Sequence, residues 1–198
     1  MKYLVRKTPR LVVRPLHLKD FTAWREAHLA MAKPKNIWDL GARSRRRLTL
    51  PQFRKILRSL SDRQKRDVFY DFGVFEKNGA LVGHASVMEV ARGISQTAFL
   101  GYSIYNGYWG KGYAKEAVRA VLDIGFRDLK LHRLEAGIEP GNKRSIGLAK
   151  ALGMRREGLK KRALFLRKTW VDLLMYTLTC EELGIRFQER NLKWKRRI

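Results

Sequence analysis

Cysteine, acidic side chains and long apolar runs are all scarce in this chain of 198 residues. The one cysteine, Cys180, cannot form an internal disulfide, which predicts a reducing, cytoplasmic setting. No segment approaches the roughly 20 consecutive apolar residues that a membrane-spanning helix needs. The first residues contain no apolar core long enough for a signal peptide. The sequence therefore predicts a cytoplasmic protein with no membrane partner.

Because acidic residues are few, the charge is strongly one-sided. The 43 Lys and Arg residues outnumber the 18 Asp and Glu residues, which leaves a formal net charge of +25 at pH 7. A field of this size attracts phosphate-bearing coenzymes, ribosomal RNA and acidic membranes alike, and it also fits a solvated basic surface with no dedicated partner. The same charge disfavours a free polyamine as substrate, because like charges repel.

Metal-ligand spacing is lacking as well. No Cys/His spacing matches a zinc site, and the histidines are too scattered to suggest a metal centre or a catalytic triad, so we expect no metal. The four are His17, His28, His84 and His132.

Hydrophobic residues make up 45% of the chain, which is typical of a globular protein. The length predicts one domain over residues 1–198, with a core over about 9–184 and a basic tail over 185–198. The hydrophobic pattern predicts an α/β fold: a mixed, mostly antiparallel sheet with helices on its faces. Predicted strands cover residues 11–16, 68–75, 80–90, 96–104, 132–138, 158–166 and 171–179. Predicted helices cover residues 21–31, with Asp20 as the cap, and residues 50–66, 113–129 and 144–151.

A glycine-rich turn lies directly before the central helix. An apolar strand ends at Ile104, and the chain then reads Trp109-Gly110-Lys111-Gly112-Tyr113-Ala114. Glycines let the backbone approach an anion, and the first turn of a helix offers unpaired N–H groups at the positive end of its dipole. Lys111 adds a mobile cation. This order of strand, turn and helix favours a phosphate site, although a Gly-x-Gly pair alone also fits a tight turn.

Two other phosphate motifs do not match. No Gly-Lys-Ser/Thr follows the turn, which excludes a P-loop. No third glycine stands at dinucleotide spacing in a first strand–helix unit, which counts against NAD.

The turn resembles the pyrophosphate-binding motif of GNAT-superfamily N-acetyltransferases. The stretch Asn142-Lys143-Arg144-Ser145, followed by Leu152-Gly153-Met154, resembles a second signature of that family, an Asn-x-x-Ser helix that ends in Leu-Gly-Phe. Over about residues 9–180 the likeness is greatest to the Rim-type enzymes that acetylate the N-terminal alanine of ribosomal proteins. The resemblance implies a GNAT fold, a twisted sheet splayed at its centre, and acetyl-CoA as cosubstrate.

The family pattern also implies roles for individual residues. The pyrophosphate is held by backbone N–H groups from Gly110 to Ala114. The turn that supplies them comprises Trp109, Gly110, Lys111, Gly112, Tyr113 and Ala114. Pantetheine pairs with the backbone near Tyr102 and Ile104, and an N–H near Tyr102 stabilises the thioester oxyanion. Asn142 either bonds the pantetheine arm or simply forms the turn after Pro-Gly.

Three residues are candidates for the chemistry. Ser145 matches a serine near the coenzyme sulfur, where its hydroxyl would protonate the departing thiolate; alternatively it caps or packs its helix. Glu89, at a strand end beside the expected cleft, and Glu135, on the strand after the central helix, are candidate bases or surface ion-pair partners. Leu164 stands where a Rim-type relative carries a glutamate, so the base is open.

Three functions fit these observations. The first is acetylation of the N-terminal α-amine of a ribosomal or other basic protein, and the second is acetylation of a small amine. The third is a non-catalytic module that binds RNA or the ribosome. In the first and third cases the basic segments 43–47 and 193–197, with Trp194 able to stack, are the expected RNA contacts.

Overall fold

The computed structural model describes residues 4–39, 41 and 44–188. The strands are β1 (Arg6–Lys7), β2 (Leu11–Arg14), β3 (Phe69–Glu76), β4 (Leu81–Ala91), β5 (Thr97–Ile104), β6 (Arg133–Ile138), β7 (Arg155–Leu166) and β8 (Thr169–Thr179). The helices are α1 (Phe21–Leu29), α2 (Leu50–Lys65), α3 (Tyr113–Asp123) and α4 (Lys143–Ala151), and a π-helical turn, Ile124–Asp128, extends α3. No helix among the described residues is both long and apolar enough to cross a bilayer.

The strands form one sheet in the order β1-β2-β3-β4-β5-β6-β8-β7. All neighbours are antiparallel except β5 and β6, which run parallel. That parallel ladder covers only Thr97–Phe99 against Arg133–Glu135, although β5 continues to Ile104 and β6 to Ile138. The two strands separate beyond the ladder, which confirms the predicted splay at the centre of the sheet.

Helices cover both faces, because alternate residues of a strand point to opposite sides. Leu11 and Val13 of β2 belong to the core cluster that includes the buried side of α3. Val12 packs instead into a second cluster, built around Trp24 of α1 and Phe53 of α2. The predicted helices on both faces are therefore confirmed, with α3 on one side and α1 and α2 on the other.

Asp20 does not cap α1 as expected. Its carboxylate accepts two bonds from Arg14, at 2.7 and 2.8 Å, and one from the His17 N–H at 2.7 Å. No side-chain bond reaches the first turn of α1. Burial acts to raise the Asp20 pKa, but these bonds and the Arg14 charge outweigh it and lower that pKa below its ordinary value. Asp20 therefore links the start of α1 to Arg14 of β2 and to the segment between them.

Element boundaries lie within three residues of the predictions, apart from the three differences that follow. Strand β1 was not predicted, because its two residues carry no hydrophobic pattern. The central helix changes to π-helical geometry after Asp123, with the Leu129 N–H bonded to the Ile124 carbonyl. Ile185 and Phe187 pack against the core, so the core extends past the expected boundary at 184. The rest of the predicted tail, from residue 189 onward, lies outside the described residues.

Candidate active site

A cavity of about 360 Å³ opens where β5 and β6 separate. Its walls come from the end of β5, the turn before α3 and the first turn of α4. Ser145 and all the predicted cofactor residues except Lys111 line it. The two motifs, more than thirty positions apart in the chain, therefore meet around one space.

The turn before α3 has the backbone conformation that only glycine adopts easily. Gly110 and Gly112 have φ angles of 81° and 75°, in the left-handed region. Gly112 is the residue that caps α3, so the N–H groups of Tyr113 and Ala114 lie in the first turn, where no helix carbonyl can accept them. Both residues line the cavity, so the positive end of the α3 dipole is at its wall.

Arg10 holds this turn in place, which the sequence analysis did not predict. Its Nε donates to Glu116 Oε2 at 2.7 Å, and its Nη1 donates to the Lys111 carbonyl at 2.6 Å. Glu116 in turn accepts from the Thr8 hydroxyl and the Arg10 N–H. Because Arg10 is about a hundred positions from the turn, no local pattern indicates the contact.

Trp109 fixes one wall of the cavity. Its indole N–H donates to the Ile104 carbonyl at 2.6 Å. The Arg144 guanidinium stacks on the indole at 3.6 Å from the ring centroid, and Lys35 Nζ lies 5.5 Å from the same centroid. Lys111, outside the lining, has its Nζ 5.3 Å from the Tyr108 ring. The cavity thus has several cations close to its mouth.

The end of β5 turns backbone groups that β4 does not bond towards the cavity. The Tyr105 N–H donates to the Val82 carbonyl of β4 at 2.9 Å. Successive residues of a strand direct their N–H and C=O groups to alternate sides. Tyr102 and Ile104 therefore direct theirs away from β4, into the splay that the parallel ladder does not reach. Of these groups, the Ile104 carbonyl is occupied by Trp109, and the Tyr102 N–H and C=O face the cavity.

Ser145 and Tyr102 are hydrogen-bonded to each other. The Tyr102 phenol donates to Ser145 Oγ at 2.9 Å. Burial raises the pKa of Tyr102 above its ordinary value, although the bond to Ser145 and the charge of Arg144 act in the opposite direction. The phenol is therefore protonated at neutral pH and able to donate. Sequence reasoning assigned only the backbone of Tyr102 and missed this side-chain contact.

Asn142 caps α4. Its Oδ1 accepts the backbone N–H of Ser145 at 3.2 Å, which leaves the amide nitrogen as its donor at the cavity. The capping role that the sequence left open for Ser145 is thus taken by Asn142, and the Ser145 hydroxyl faces Tyr102 instead.

The structure does not bring the two predicted bases to this cavity. Glu89 is exposed in a β-bulge of β4 with a φ of 51°, beside the end of β5 that is remote from Tyr102. Glu135 lies opposite Phe99 in the last pair of the parallel ladder and accepts from Arg133 Nε at 2.5 Å. Both glutamates lie level with Thr97–Phe99 of β5, whereas the cavity borders β5 at Tyr102–Ile104.

A further contact at the cavity mouth involves residues that were not predicted. Trp38, which lines the cavity, donates from Nε1 to Glu139 at 2.9 Å. Glu139 also pairs with Arg167 at the tip of the β7–β8 hairpin. This chain of contacts joins the loop after α1 to the hairpin across the mouth of the cavity.

The described residues contain one group with the composition of a metal site, and it lies away from the cavity. The ligand atoms of His132, Cys180 and Glu181 lie within 4.8 Å of one another. Burial, and to a lesser extent Glu181, raise the pKa of Cys180 to about 11. The thiolate that metals bind is therefore disfavoured at neutral pH.

Comparison with known proteins agrees with this geometry. A family model described as Acetyltransferase (GNAT) domain matches residues 10–155. The ribosomal protein uS5-alanine N-acetyltransferase of Escherichia coli (strain K12) is 32% identical over 178 residues, which cover 87% of this chain and 89% of that relative. Probable N-acetyltransferase YjcK of Bacillus subtilis (strain 168) is 38% identical over 120 residues, 60% of this chain; the match spans 66% of YjcK, just under two thirds.

A solved structure is similar over most of the chain. Mycobacterium smegmatis RimJ, determined in complex with CoA-disulfide, is 28% identical and superposes with a TM-score of 0.73. The superposition covers 87% of this chain and 83% of that one.

Proposed function

Because this chain belongs to the GNAT acetyltransferase family, we propose that it transfers the acetyl group of acetyl-CoA to the N-terminal α-amine of a protein. One observation carries the proposal: residues from both motifs line a single cavity at the splay of the sheet. The E. coli relative acts, by its name, on the alanine of a ribosomal protein. We extend that acceptor class to this chain, with a small amine as the alternative.

The cavity supplies what acetyl-CoA requires. The N–H groups of the turn from Gly110 to Ala114 would bind the diphosphate, because they are unpaired and lie at the positive end of α3. The pantetheine arm would lie along β5 and pair with the backbone of Tyr102, and the amide nitrogen of Asn142 would bond to it. The neighbouring cations, Arg144 and Lys35, add favourable charge for an anionic cosubstrate.

The chemistry follows from the same residues. The acceptor nitrogen attacks the thioester carbonyl carbon, and the Tyr102 N–H would stabilise the oxyanion that forms. The carbon–sulfur bond then breaks. Ser145 would give its proton to the departing thiolate and regain one from Tyr102, whose phenol already donates to it.

The α-amine is the acceptor that makes the smallest demand on the enzyme. The pKa of an α-amine is about 7.7–8.0, so removal of its proton at pH 7 costs about 1 kcal/mol. Removal of the proton of a lysine side chain, with a pKa of about 10.4, costs roughly 4–5 kcal/mol. A site without a strong base can therefore still act on protein N-termini.

The test is a thiol-release assay with acetyl-CoA across a panel of acceptors. Peptides that begin with Ala or Ser should be acetylated faster than the same peptides with blocked N-termini, faster than lysine side chains, and faster than spermidine. Faster acetylation of spermidine or another small amine would indicate that the acceptor is a small amine and not a protein N-terminus. No turnover with any amine would refute the proposed activity.

A specific surface feature favours RNA as an additional partner. The tip of the β7–β8 hairpin carries Phe165 and Trp170, which are 60% and 59% exposed and lie edge to face with 5.5 Å between ring centroids. Arg167 and Lys168 form the turn itself, both with positive φ. Exposed rings beside cations suit stacked bases and phosphates. Of the segments expected to contact RNA, only residues 44–47 are described, and Arg45–Arg47 form an exposed turn.

We therefore propose that this hairpin contacts single-stranded RNA next to the acceptor. Affinity for an RNA oligonucleotide should fall steeply with salt. The double variant Phe165→Ala/Trp170→Ala should lose about tenfold or more of that affinity, because stacking contributes about 1–3 kcal/mol per base. The exposed residue Ile94 offers a matched control as Ile94→Ala. Equal affinity of both variants would contradict the assignment, and RNA binding without turnover would favour a non-catalytic module.

A further inference from the structure

A second cavity, of about 250 Å³, lies on the face of the sheet that α1 and α2 cover. Its walls include the apolar side chains Leu16, Trp24 and Met31. Two titratable strand residues, Asp71 of β3 and His84 of β4, also line it. Nothing in the proposed cosubstrate site uses this space.

The second cavity lies behind the strand that borders the cosubstrate cavity. His84 is directly opposite Ser103 of β5, and Gly83 is opposite Ile104. Ser103 and Ile104 line the first cavity. Because Ala85 packs into the α3 cluster, its neighbour His84 points to the other face, and residues directly opposite in a ladder share a face. The imidazole is therefore on the α1/α2 side of the splay, one strand from Tyr102.

Asp71 is placed to orient that imidazole. Its Oδ1 lies 3.5 Å from His84 Nδ1, and its side chain is 14% exposed against 38% for His84. A carboxylate beside Nδ1 favours a proton there, which leaves Nε2 as the nitrogen that accepts protons. This is the relation of an orienting acid to a general base.

Two other titratable side chains, His28 and Tyr105, line the second cavity. His28 of α1 is buried, and its Nδ1 lies 2.7 Å from the Trp24 carbonyl. Tyr105 follows β5, and its ring packs 5.5 Å from that of His28. The α2 residues in the lining, Ile56 and Leu60, are apolar. His84 is the half-buried imidazole on β4, the strand next to the one that borders the cosubstrate cavity.

We propose that the second cavity admits the amine end of the acceptor and that His84, oriented by Asp71, is the general base. The inference rests on the proposed acetyl transfer and deepens it. The apolar walls fit a primary amine carried on a small uncharged group, and Asp71 supplies the negative charge that attracts an ammonium ion within an otherwise basic protein. Neither glutamate expected from the sequence lies in this lining.

The step balances without any further reactant. The acceptor ammonium loses one proton to His84 Nε2, and the free nitrogen forms a bond to the thioester carbonyl carbon. As the carbon–sulfur bond breaks, the sulfur keeps the electron pair and takes a proton from Ser145. The second proton of the acceptor nitrogen replaces, through solvent and Tyr102, the proton that Ser145 gave up, and the proton on His84 passes to solvent.

The experiment compares His84→Gln with wild type, and His132→Gln is the matched control. His132 has the same side-chain exposure, 38%, and lies 3.2 Å from a carboxylate of Glu181, away from both cavities. At saturating acetyl-CoA and an Ala-starting peptide, His84→Gln should lower kcat up to about tenfold at pH 7, because about a tenth of an α-amine with a pKa of about 8.0 is already unprotonated there. The KM for acetyl-CoA and the thermal shift given by CoA should change less than twofold. Asp71→Asn should lower kcat by a smaller factor than His84→Gln, about threefold, with the same pH dependence.

The pH dependence separates a base from a merely structural residue. The ratio of wild-type kcat to His84→Gln kcat should be largest near pH 7 and fall towards one by pH 9.5, where the peptide amine is already deprotonated. A His84→Gln variant that stays within twofold of wild type, or a ratio that does not change with pH, would overturn the role of His84 while acetyl transfer stands. If the folded, CoA-binding wild type acetylates no amine, the proposed function itself fails.

Discussion

Removal of the Ser145 hydroxyl should slow acetyl transfer in a way that depends on pH. An alkyl thiol such as that of cysteine has a pKa of about 8.5. At pH 7 the proton that Ser145 supplies is therefore worth at most 1.5 pKa units, or about 2 kcal/mol, which is about 30-fold in rate. Ser145→Ala should lower kcat by up to about that factor at pH 7. The loss should shrink above pH 8.5, where the thiolate leaves without a proton.

Tyr102 extends the same prediction, since its phenol donates to Ser145 Oγ at 2.9 Å. Tyr102→Phe removes one neutral hydrogen bond, worth about 1 kcal/mol, and should lower kcat about fivefold. Because Tyr102 acts through Ser145, the kcat of the double variant Tyr102→Phe/Ser145→Ala should be no lower than that of Ser145→Ala alone.

The assay is steady-state thiol release from acetyl-CoA with an Ala-starting peptide between pH 6.5 and 9.5. The KM for acetyl-CoA serves as the control and should stay within twofold. Full turnover of Ser145→Ala at pH 7 would refute the acid assignment. Multiplicative losses in the double variant would refute the Tyr102–Ser145 relay.

Two further predictions test the scaffold. Gly110→Val places a β-branched residue at a φ of 81°, so it should destabilise the protein by about 1–2 kcal/mol and weaken CoA binding. Asparagine tolerates this region, so Gly110→Asn should destabilise the protein less. Equal destabilisation by the two variants in thermal unfolding would contradict the requirement for glycine at this φ. Asp20→Ala should cost about 3 kcal/mol in urea unfolding, because it leaves Arg14 unpaired. Since folding lowers the pKa of Asp20, the stability that its carboxylate contributes is present above pH 4 and is lost as pH falls through the pKa of the folded state. A difference in unfolding free energy between wild type and Asp20→Ala that stays constant down to pH 2 would contradict this pH dependence.

The periodic part of the fold was predictable from the sequence. The strands β3, β4 and β5 are rich in apolar residues, and Asn78-Gly79 marks the hairpin between β3 and β4. The glycine turn was predictable because its φ angles require glycine. These features depend on neighbouring residues alone, so a local pattern is enough to find them.

The contacts that complete the site could not be predicted in this way. Arg10 reaches the turn, and Asp71 meets His84, only because the sheet brings distant strands together. Glu89 lies at the end of β4 that is remote from the cavity, a position that depends on the register of β4 against β5. Register and bulges are set by tertiary packing, which a single sequence does not reveal.

The most direct test of the account compares CoA with pantetheine in calorimetric titrations of the wild-type protein. We propose that the diphosphate binds to the N–H groups at the start of α3, and each charge-assisted hydrogen bond contributes about 1.5–3 kcal/mol. CoA should therefore bind at least about tenfold more tightly than pantetheine, which lacks the diphosphate. Equal affinities, or no heat of binding with CoA, would contradict the central claim.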